Sequence, residues 1–258
     1  MIAQQWSEQK FLCIGLDPEL EKIPESFKTG SVEETIHAFN RNIIDETHDL
    51  VCAFKPNSAF YEAQGEEGMR ALKSTIEYIR TVAPGVPVIL DAKRADIGNT
   101  NNGYVSFAFE WLKADAITVH PYLGTEALKP FFDEKEKGIF VLCRTSNPGS
   151  GEFQDVVIEG KPLFVRVARA FSVHENSGLV VGATYPHDIK KVRDVSDAPL
   201  LIPGIGAQGG DVARSVAEAK DSHGTGFIIS ASRSIIFSDS PRSNAQEFAG
   251  QIRDALVA

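Results

Sequence analysis

Eight short apolar runs, spaced along the chain with helix-like segments between them, constrain this sequence more than any other feature. They are Phe11 to Leu16, Val51 to Phe54, Val86 to Leu90, Ala116 to Val119, Ile139 to Leu142, Leu179 to Gly182, Leu200 to Ile202 and Phe227 to Ile229. Each is near-continuously apolar rather than alternating, which is the pattern of parallel strands covered on their outer face by helices. The intervening segments carry matching signals. Ser31 with Glu34 and Ser243 with Gln246 read as capping boxes, and Met69, Leu72, Ile76 and Ile79 keep helical spacing until Pro84-Gly85. Eight βα units in succession predict an α/β fold, a single-domain (β/α)8 TIM barrel over residues 1–258. A chain with 43% apolar residues at this length can bury one core of that size. An open doubly wound sheet is the alternative, but no GxGxxG follows the first run, and the glycine-rich stretch lies after the seventh.

Charge narrows the partners. A formal net charge of −9 gives no basic footprint for nucleic acid or an anionic membrane, so any phosphate site is local and suits a small phosphorylated ligand. No stretch has the length of a transmembrane helix, and the opening MIAQQWSEQK lacks the apolar centre of a signal peptide, so a cytoplasmic protein is expected. Cys13, Cys52 and Cys143 are odd in number, lack CxxC spacing and sit inside apolar runs. They read as reduced core thiols.

Active sites of such barrels lie at the carboxyl ends of the strands, and this sequence puts a polar residue after nearly every run. Asp17 follows the first, Lys55 the second, Asp91 and Lys93 the third, His120 the fourth, Arg144 and Ser146 the fifth, and Arg233 lies beyond the eighth. Side chains two apart on a strand share a face, so Asp91 and Lys93 are expected to point inward over Ile89 while Ala92 meets the helices. A buried lysine among carboxylates is favoured in its ammonium form, which makes a poor nucleophile. That disfavours Schiff-base chemistry at Lys93 and suits an acid that stabilises and protonates a carbanion. Alternating charges on Lys55, Asp91, Lys93 and Asp96 are expected to hold each head group in place before substrate arrives.

A second constellation is Pro203-Gly204-Ile205-Gly206-Ala207-Gln208-Gly209-Gly210-Asp211, followed one βα unit later by Ser230-Ala231-Ser232-Arg233. Glycines let backbone N–H groups approach an anion, and an arginine adds a two-pronged contact, so this pair reads as a phosphate site. His120 reads as a hydrogen-bonded structural residue. The six histidines are dispersed and strand two ends in Lys55 rather than a carboxylate, so no metal set is expected. Thr145 to Lys161 is long for a βα connection and reads as an active-site lid.

These residues resemble the orotidine 5'-phosphate decarboxylase family, in particular its longer-chain bacterial branch, sometimes called type 2. The resemblance runs from about Phe11 to Phe237. It rests on Gly15-Leu16-Asp17-Pro18, Phe54-Lys55-Pro56-Asn57, Asp91-Ala92-Lys93-Arg94-Ala95-Asp96-Ile97-Gly98-Asn99-Thr100, Pro203 to Asp211, and Arg233. It implies loss of CO2 from C6 of orotidine 5'-monophosphate to give uridine 5'-monophosphate, without cofactor or metal, in a homodimer with two composite sites. It further implies that Lys93 protonates C6, that Asp91 lies beside the departing carboxylate, and that Asp91 and Asp96 orient Lys93. Asp96 and Thr100 are expected to reach into the partner's site. Asp17 and Lys55 are assigned to ribose hydroxyls, Ser146 to the pyrimidine edge, and Gly206, Gln208 and Arg233 to phosphate. Ala95, where glycine is expected, and the missing glycine before Arg233 are small-residue departures. Two rival readings are a magnesium-dependent decarboxylase of a sugar-acid phosphate or a hexulose-phosphate aldolase, and a non-catalytic nucleotide-binding barrel.

Overall fold

The computed structural model describes residues 1–28, 30–205 and 211–257. The eight apolar runs form eight strands: β1 (Leu12–Leu16), β2 (Ala53–Pro56), β3 (Ile89–Arg94), β4 (Ala116–Val119), β5 (Gly138–Arg144), β6 (Ser177–Val181), β7 (Leu200–Pro203) and β8 (Phe227–Ala231). They lie parallel in one sheet, in the order β2-β1-β8-β7-β6-β5-β4-β3. Parallel bridges Phe54 to Val88 and Asn57 to Asp91 join β2 to β3 and close the barrel.

Parity divides the apolar side chains into two cores. Cys13, Ala53, Ile89, Ala116, Phe140, Val180, Leu201 and Ile228 fill the barrel interior. Their strand neighbours, including Ile14, Phe54, Leu90, Ala92 and Ile117, pack outward against the helices. Ile89 therefore forms the layer beneath Asp91, and Ala92 meets the helices, as the period of two predicts.

Local signals are mostly obeyed. The Ser31 hydroxyl accepts the Glu34 N–H at 3.2 Å while the Glu34 carboxylate accepts the Ser31 N–H at 2.8 Å, so the helix Val32–Thr47 starts at a complete capping box. Such a cap contributes about 1 kcal/mol. The helix Gly65–Val82 ends just before Pro84-Gly85, with Leu72, Ile76 and Ile79 buried. The second capping box does not form at Ser243, because the last helix, Pro241–Val257, begins two residues earlier. Proline at the first helical position has its φ already set and lacks an N–H that would go unused there.

Two strand ends also differ from expectation. β3 runs on to Arg94, so the charged stretch is itself strand. The long segment after β5, which an unbroken loop would leave without structure, contains the turn Pro148–Ser150, the short helix Gly151–Gln154 and a hairpin pairing Val157–Ile158 with Lys161–Pro162. Cys13, Cys52 and Cys143 are buried and free, as expected. Burial pushes all three thiols up, that of Cys13 to about 12, which leaves little nucleophilic thiolate. Among the described residues no helix is long and apolar enough to cross a membrane.

Candidate active site

The carboxyl end of the barrel opens into a cleft of about 390 Å³ lined by Lys55, Asp91, Lys93, Thr118 and the residues Thr145 to Asn147. Asp91 is its centre. Lys93 Nζ lies 2.6 Å from Asp91 Oδ1 and Lys55 Nζ lies 3.2 Å from Oδ2, while the Thr118 hydroxyl donates to Oδ1 at 2.8 Å. Burial alone would raise the Asp91 carboxyl. The charges of Lys55 and Lys93, with hydrogen bonds from Lys93 and Thr118, outweigh it and hold the group well below the ordinary carboxylate range. Burial likewise opposes the charge on Lys55, and Asp91 and Asp17 reverse that effect and raise its ammonium. The removal of a buried carboxylate from water costs several kcal/mol, and two cations on opposite oxygens are what offset it here.

Strand geometry sets these contacts. After Leu90 the β3–β4 register shifts, and Lys93 adopts φ 48°. The left-handed region costs a non-glycine residue about 1–2 kcal/mol, and a bulge re-aims the side chain. Thr118 secures the turn, since its Oγ1 accepts the Lys93 backbone N–H at 2.9 Å as well as donating to Asp91. The expectation of a buried Lys93 is corrected: its side chain is 47% exposed, because the bulge lifts it into the open mouth, whereas Lys55 is buried at 7%.

Asp17 is braced from two sides. It accepts the Asn57 N–H at 3.3 Å and the Ser232 hydroxyl at 2.7 Å. Gly15 allows this, because a Cβ there would stand 2.7 Å from the Ser232 Cβ. Beneath it, the buried Tyr61 hydroxyl donates to the Leu16 carbonyl at 2.9 Å and accepts from Asn40, which also donates to Thr75. Ser146 reaches the cleft because the β5 loop presses on β6. At Gly182 a Cβ would meet Ser146 at 2.7 Å.

Five members of the expected set lie apart from this cluster or outside the described residues. The Asp96 carboxylate accepts the Ile97 N–H at 2.7 Å and makes no ion pair with Lys93 of the same chain. Thr100 is exposed at the first position of the helix Thr100–Val105. The buried Asn101 amide holds this loop through the Asp96 N–H and carbonyl and the Ala127 carbonyl. Gly206 and Gln208 lie outside the described residues, and Arg233 is exposed at the start of the short helix Arg233–Ile236. His120 is half-buried, with its backbone N–H on the Arg94 carbonyl. Arg144 does not face the cleft. A register shift after Leu142 turns it toward the helix layer, where it pairs with Asp188 at 3.0 Å. Thr118 escaped the sequence reading although it was legible there, as the one polar residue inside Ala116 to Val119 and one pleat repeat before His120.

A second cleft, of about 450 Å³, opens at the opposite end of the barrel around Phe140 and Lys137. It holds none of the Lys55–Asp91–Lys93 cluster, and barrel chemistry belongs at the carboxyl end.

Residues 10–248 match the family described as "Orotidine 5'-phosphate decarboxylase / HUMPS family". A protein of Cellvibrio japonicus named orotidine 5'-phosphate decarboxylase is 48% identical over 257 residues, which cover 98% of this chain and 92% of the relative. One of the same name from Thermomicrobium roseum is 46% identical over 265 residues, covering 99% and 92%. The solved structure of Leishmania donovani OMP decarboxylase superposes with a TM-score of 0.90 at 35% identity, covering 100% of this chain and 98% of that one. The closed parallel barrel, the lysine-clasped Asp91 in its mouth and these likenesses agree: the chain belongs to the orotidine 5'-phosphate decarboxylase / HUMPS family.

Proposed function

We propose that the chain is a carboxy-lyase that converts orotidine 5'-monophosphate to uridine 5'-monophosphate and CO2 in pyrimidine biosynthesis, with Lys93 delivering the proton to C6. The membership and the relatives' shared name support the reaction. The observation that carries the mechanism is the clasp of Asp91 between Lys55 and Lys93 at the mouth of the cleft. In the step proposed, the bond from C6 to the carboxylate carbon breaks, CO2 departs, and the electron pair stays on C6. The Lys93 ammonium, preorganised beside that carbon, stabilises the carbanion and transfers a proton to it, and the resulting amine recovers a proton from water. Asp91, kept ionised by its two lysines, stands next to the substrate carboxylate, where like charge favours release of neutral CO2.

The remaining roles follow the resemblance. Asp17 and Lys55 take ribose hydroxyls, Ser146 the pyrimidine edge, and Arg233 with Gly206 and Gln208 the phosphate, whose remote binding energy is available to the chemical step. Asp96 and Thr100 serve the site of a second copy in a homodimer. That reading is supported by the lack of an ion pair between Asp96 and its own Lys93, and by the exposure of Ile97, Tyr122 and Leu123 on the same and the adjoining loop, apolar surface that a second copy can cover. A cytoplasmic location fits three free, buried thiols.

No resident cofactor or metal is assigned. The Lys55 ammonium, 3.2 Å from Asp91, fills the position where a second carboxylate ligand would be needed by the magnesium-dependent rival. The test is incubation of purified protein with orotidine 5'-monophosphate in excess chelator while orotate absorbance is followed. Full turnover is expected, and strict magnesium dependence would favour the rival.

A further inference from the structure

We propose that Arg144 is a positioning residue for the reaction, its buried guanidinium anchoring the 145–161 segment to the helix after β6 so that Thr145, Ser146 and Asn147 stay in the cleft wall. Arg144 is 5% exposed, and its donors divide between two bodies. On the barrel side Nε donates to Asp188 at 3.0 Å, at the start of the helix Pro186–Arg193. On the segment side one terminal nitrogen reaches Ser150 at 3.2 Å and Asp155 at 3.2 Å, and the other Asp155 at 3.3 Å. The guanidinium also lies near the rings of Phe164 and Tyr185, with its carbon 5.5 and 5.2 Å from their centroids. A planar fork with five fixed donors can satisfy both bodies at once, which a lysine cannot.

The consequence reaches the cleft because only five residues separate Arg144 from its first contact in the segment. Thr145, Ser146 and Asn147 lie inside that short span and line the cleft beside Lys93. The span is further closed by a reciprocal pair: Thr145 N–H donates to Gln154 Oε1 at 2.9 Å, and Gln154 Nε2 donates to Thr145 Oγ1 at 2.8 Å. Between and just after the anchoring residues Ser150 and Asp155, Phe153, Val156 and Val157 are exposed. The segment thus has a fixed root and a projecting apolar tip, the form of a lid hinged near Arg144. If Asp155 swings away, two nitrogens of the buried guanidinium lose a charged partner, which favours the anchored position even though Asp155 itself is 52% exposed.

The inference rests on the reading of 145–161 as a lid over substrate, and the experiment separates the two. Loss of Arg144 itself could unfold the barrel, so the variant is Ser150→Ala/Asp155→Ala, which removes only the segment-side partners and leaves the Arg144–Asp188 pair intact. Amide hydrogen exchange is measured with saturating uridine 5'-monophosphate, alongside steady-state kinetics and thermal unfolding. The expected result is strong protection of residues 145–161 by the nucleotide in the wild-type chain and little in the variant. KM for orotidine 5'-monophosphate should rise about 10-fold for the lost charge-assisted contacts, while the unfolding temperature falls by only a few degrees and the variant stays folded at the assay temperature. The conservative Asp155→Glu alone should keep wild-type protection and KM. Equal protection and equal KM in wild type and double variant would overturn the anchor. Absence of protection in the wild-type chain would instead overturn the lid reading beneath it.

Discussion

Lys93 reaches back along its own strand to Asp91, Nζ to Oδ1 at 2.6 Å, from a backbone held at φ 48°. A lysine in that conformation is costly, and nothing in strand packing calls for it. What the conformation achieves is to place an ammonium above an inward carboxylate instead of beside it, in the open mouth where a substrate carbon can reach it. The strain is local and is compensated by Thr118, which accepts the Lys93 N–H. This pairing of strain with a specific partner motivates the first expectation.

Lys93→Ala and Lys93→Gly should both lose turnover by at least about 10^4-fold, because in the proposed mechanism the proton donor and the cation facing the carbanion are the same group. They should differ in stability. Glycine adopts the left-handed region freely, so Lys93→Gly should exceed Lys93→Ala by about 1 kcal/mol in urea unfolding. Arg233→Ala offers the contrast: it should chiefly raise KM, since the role proposed for Arg233 is a remote phosphate contact rather than the reacting group. Near-normal kcat in either Lys93 variant would defeat the proposed mechanism.

The Lys55–Asp91 pair sets how stability changes with pH. Asp91 is depressed in the folded state, so its contribution is complete above the unfolded carboxylate value of about 4 and is lost as pH falls through the lower folded value. Lys55 is raised, so its contribution is complete below about 10 and is lost as pH rises through its folded value. Between those limits the pair should contribute a constant amount. Lys55→Met removes the larger of the two charges that lower Asp91 and should cost about 3 kcal/mol at pH 7, the low end for breaking a buried pair. Its acid unfolding midpoint should also move to higher pH. Urea titrations from pH 3 to 10 give both numbers, and an unmoved acid midpoint would mean that Lys55 does not govern Asp91.

How much of this was legible in the sequence depends on whether a feature follows the strand period. Asp91 over Ile89, Ala92 outward and Asp17, Lys55 and Asp91 at strand ends all follow from a two-residue repeat, and the structure has them so. The exposure and backbone of Lys93 and the outward turn of Arg144 do not, because each follows a break in register, after Leu90 and after Leu142. Such breaks are settled by pairing with a neighbouring strand, and no local pattern records them. Tyr61, Asn40 and Asn101 were missed for a related reason. A buried polar side chain inside a helical stretch looks like solvent-facing surface until its distant acceptor, the Leu16 or Ala127 carbonyl, is folded against it.

Thr118 provides a test of a residue found only in three dimensions. Its hydroxyl joins the Lys93 backbone to the Asp91 carboxylate, so Thr118→Val keeps shape and removes both hydrogen bonds. The partly buried Lys93 N–H then lacks an acceptor, at a cost of about 1 kcal/mol in stability. Turnover should fall about 10- to 100-fold through kcat, because the ammonium is no longer held over the reacting carbon. Thr118→Ser should restore most of both. A loss confined to stability, with kcat unchanged, would show that Lys93 finds its place without Thr118.

Asp96 gives the sharpest test of the two-copy site. Its carboxylate accepts from Ile97 and does not meet Lys93 of its own chain, so if it acts in catalysis it acts elsewhere. Lys93→Ala and Asp96→Ala should each be nearly inactive alone. In a two-fold dimer whose sites combine Lys93 of one copy with Asp96 of the other, mixing the variants and allowing subunits to exchange creates hybrids with one doubly damaged site and one intact site. Random reassortment makes half of the dimers hybrid, so activity should recover to about a quarter of the wild-type value. Recovery should depend on protein concentration and time as exchange does. Failure to recover, under conditions where mass spectrometry shows the hybrids present, would place Asp96 in the site of its own chain and remove the composite arrangement.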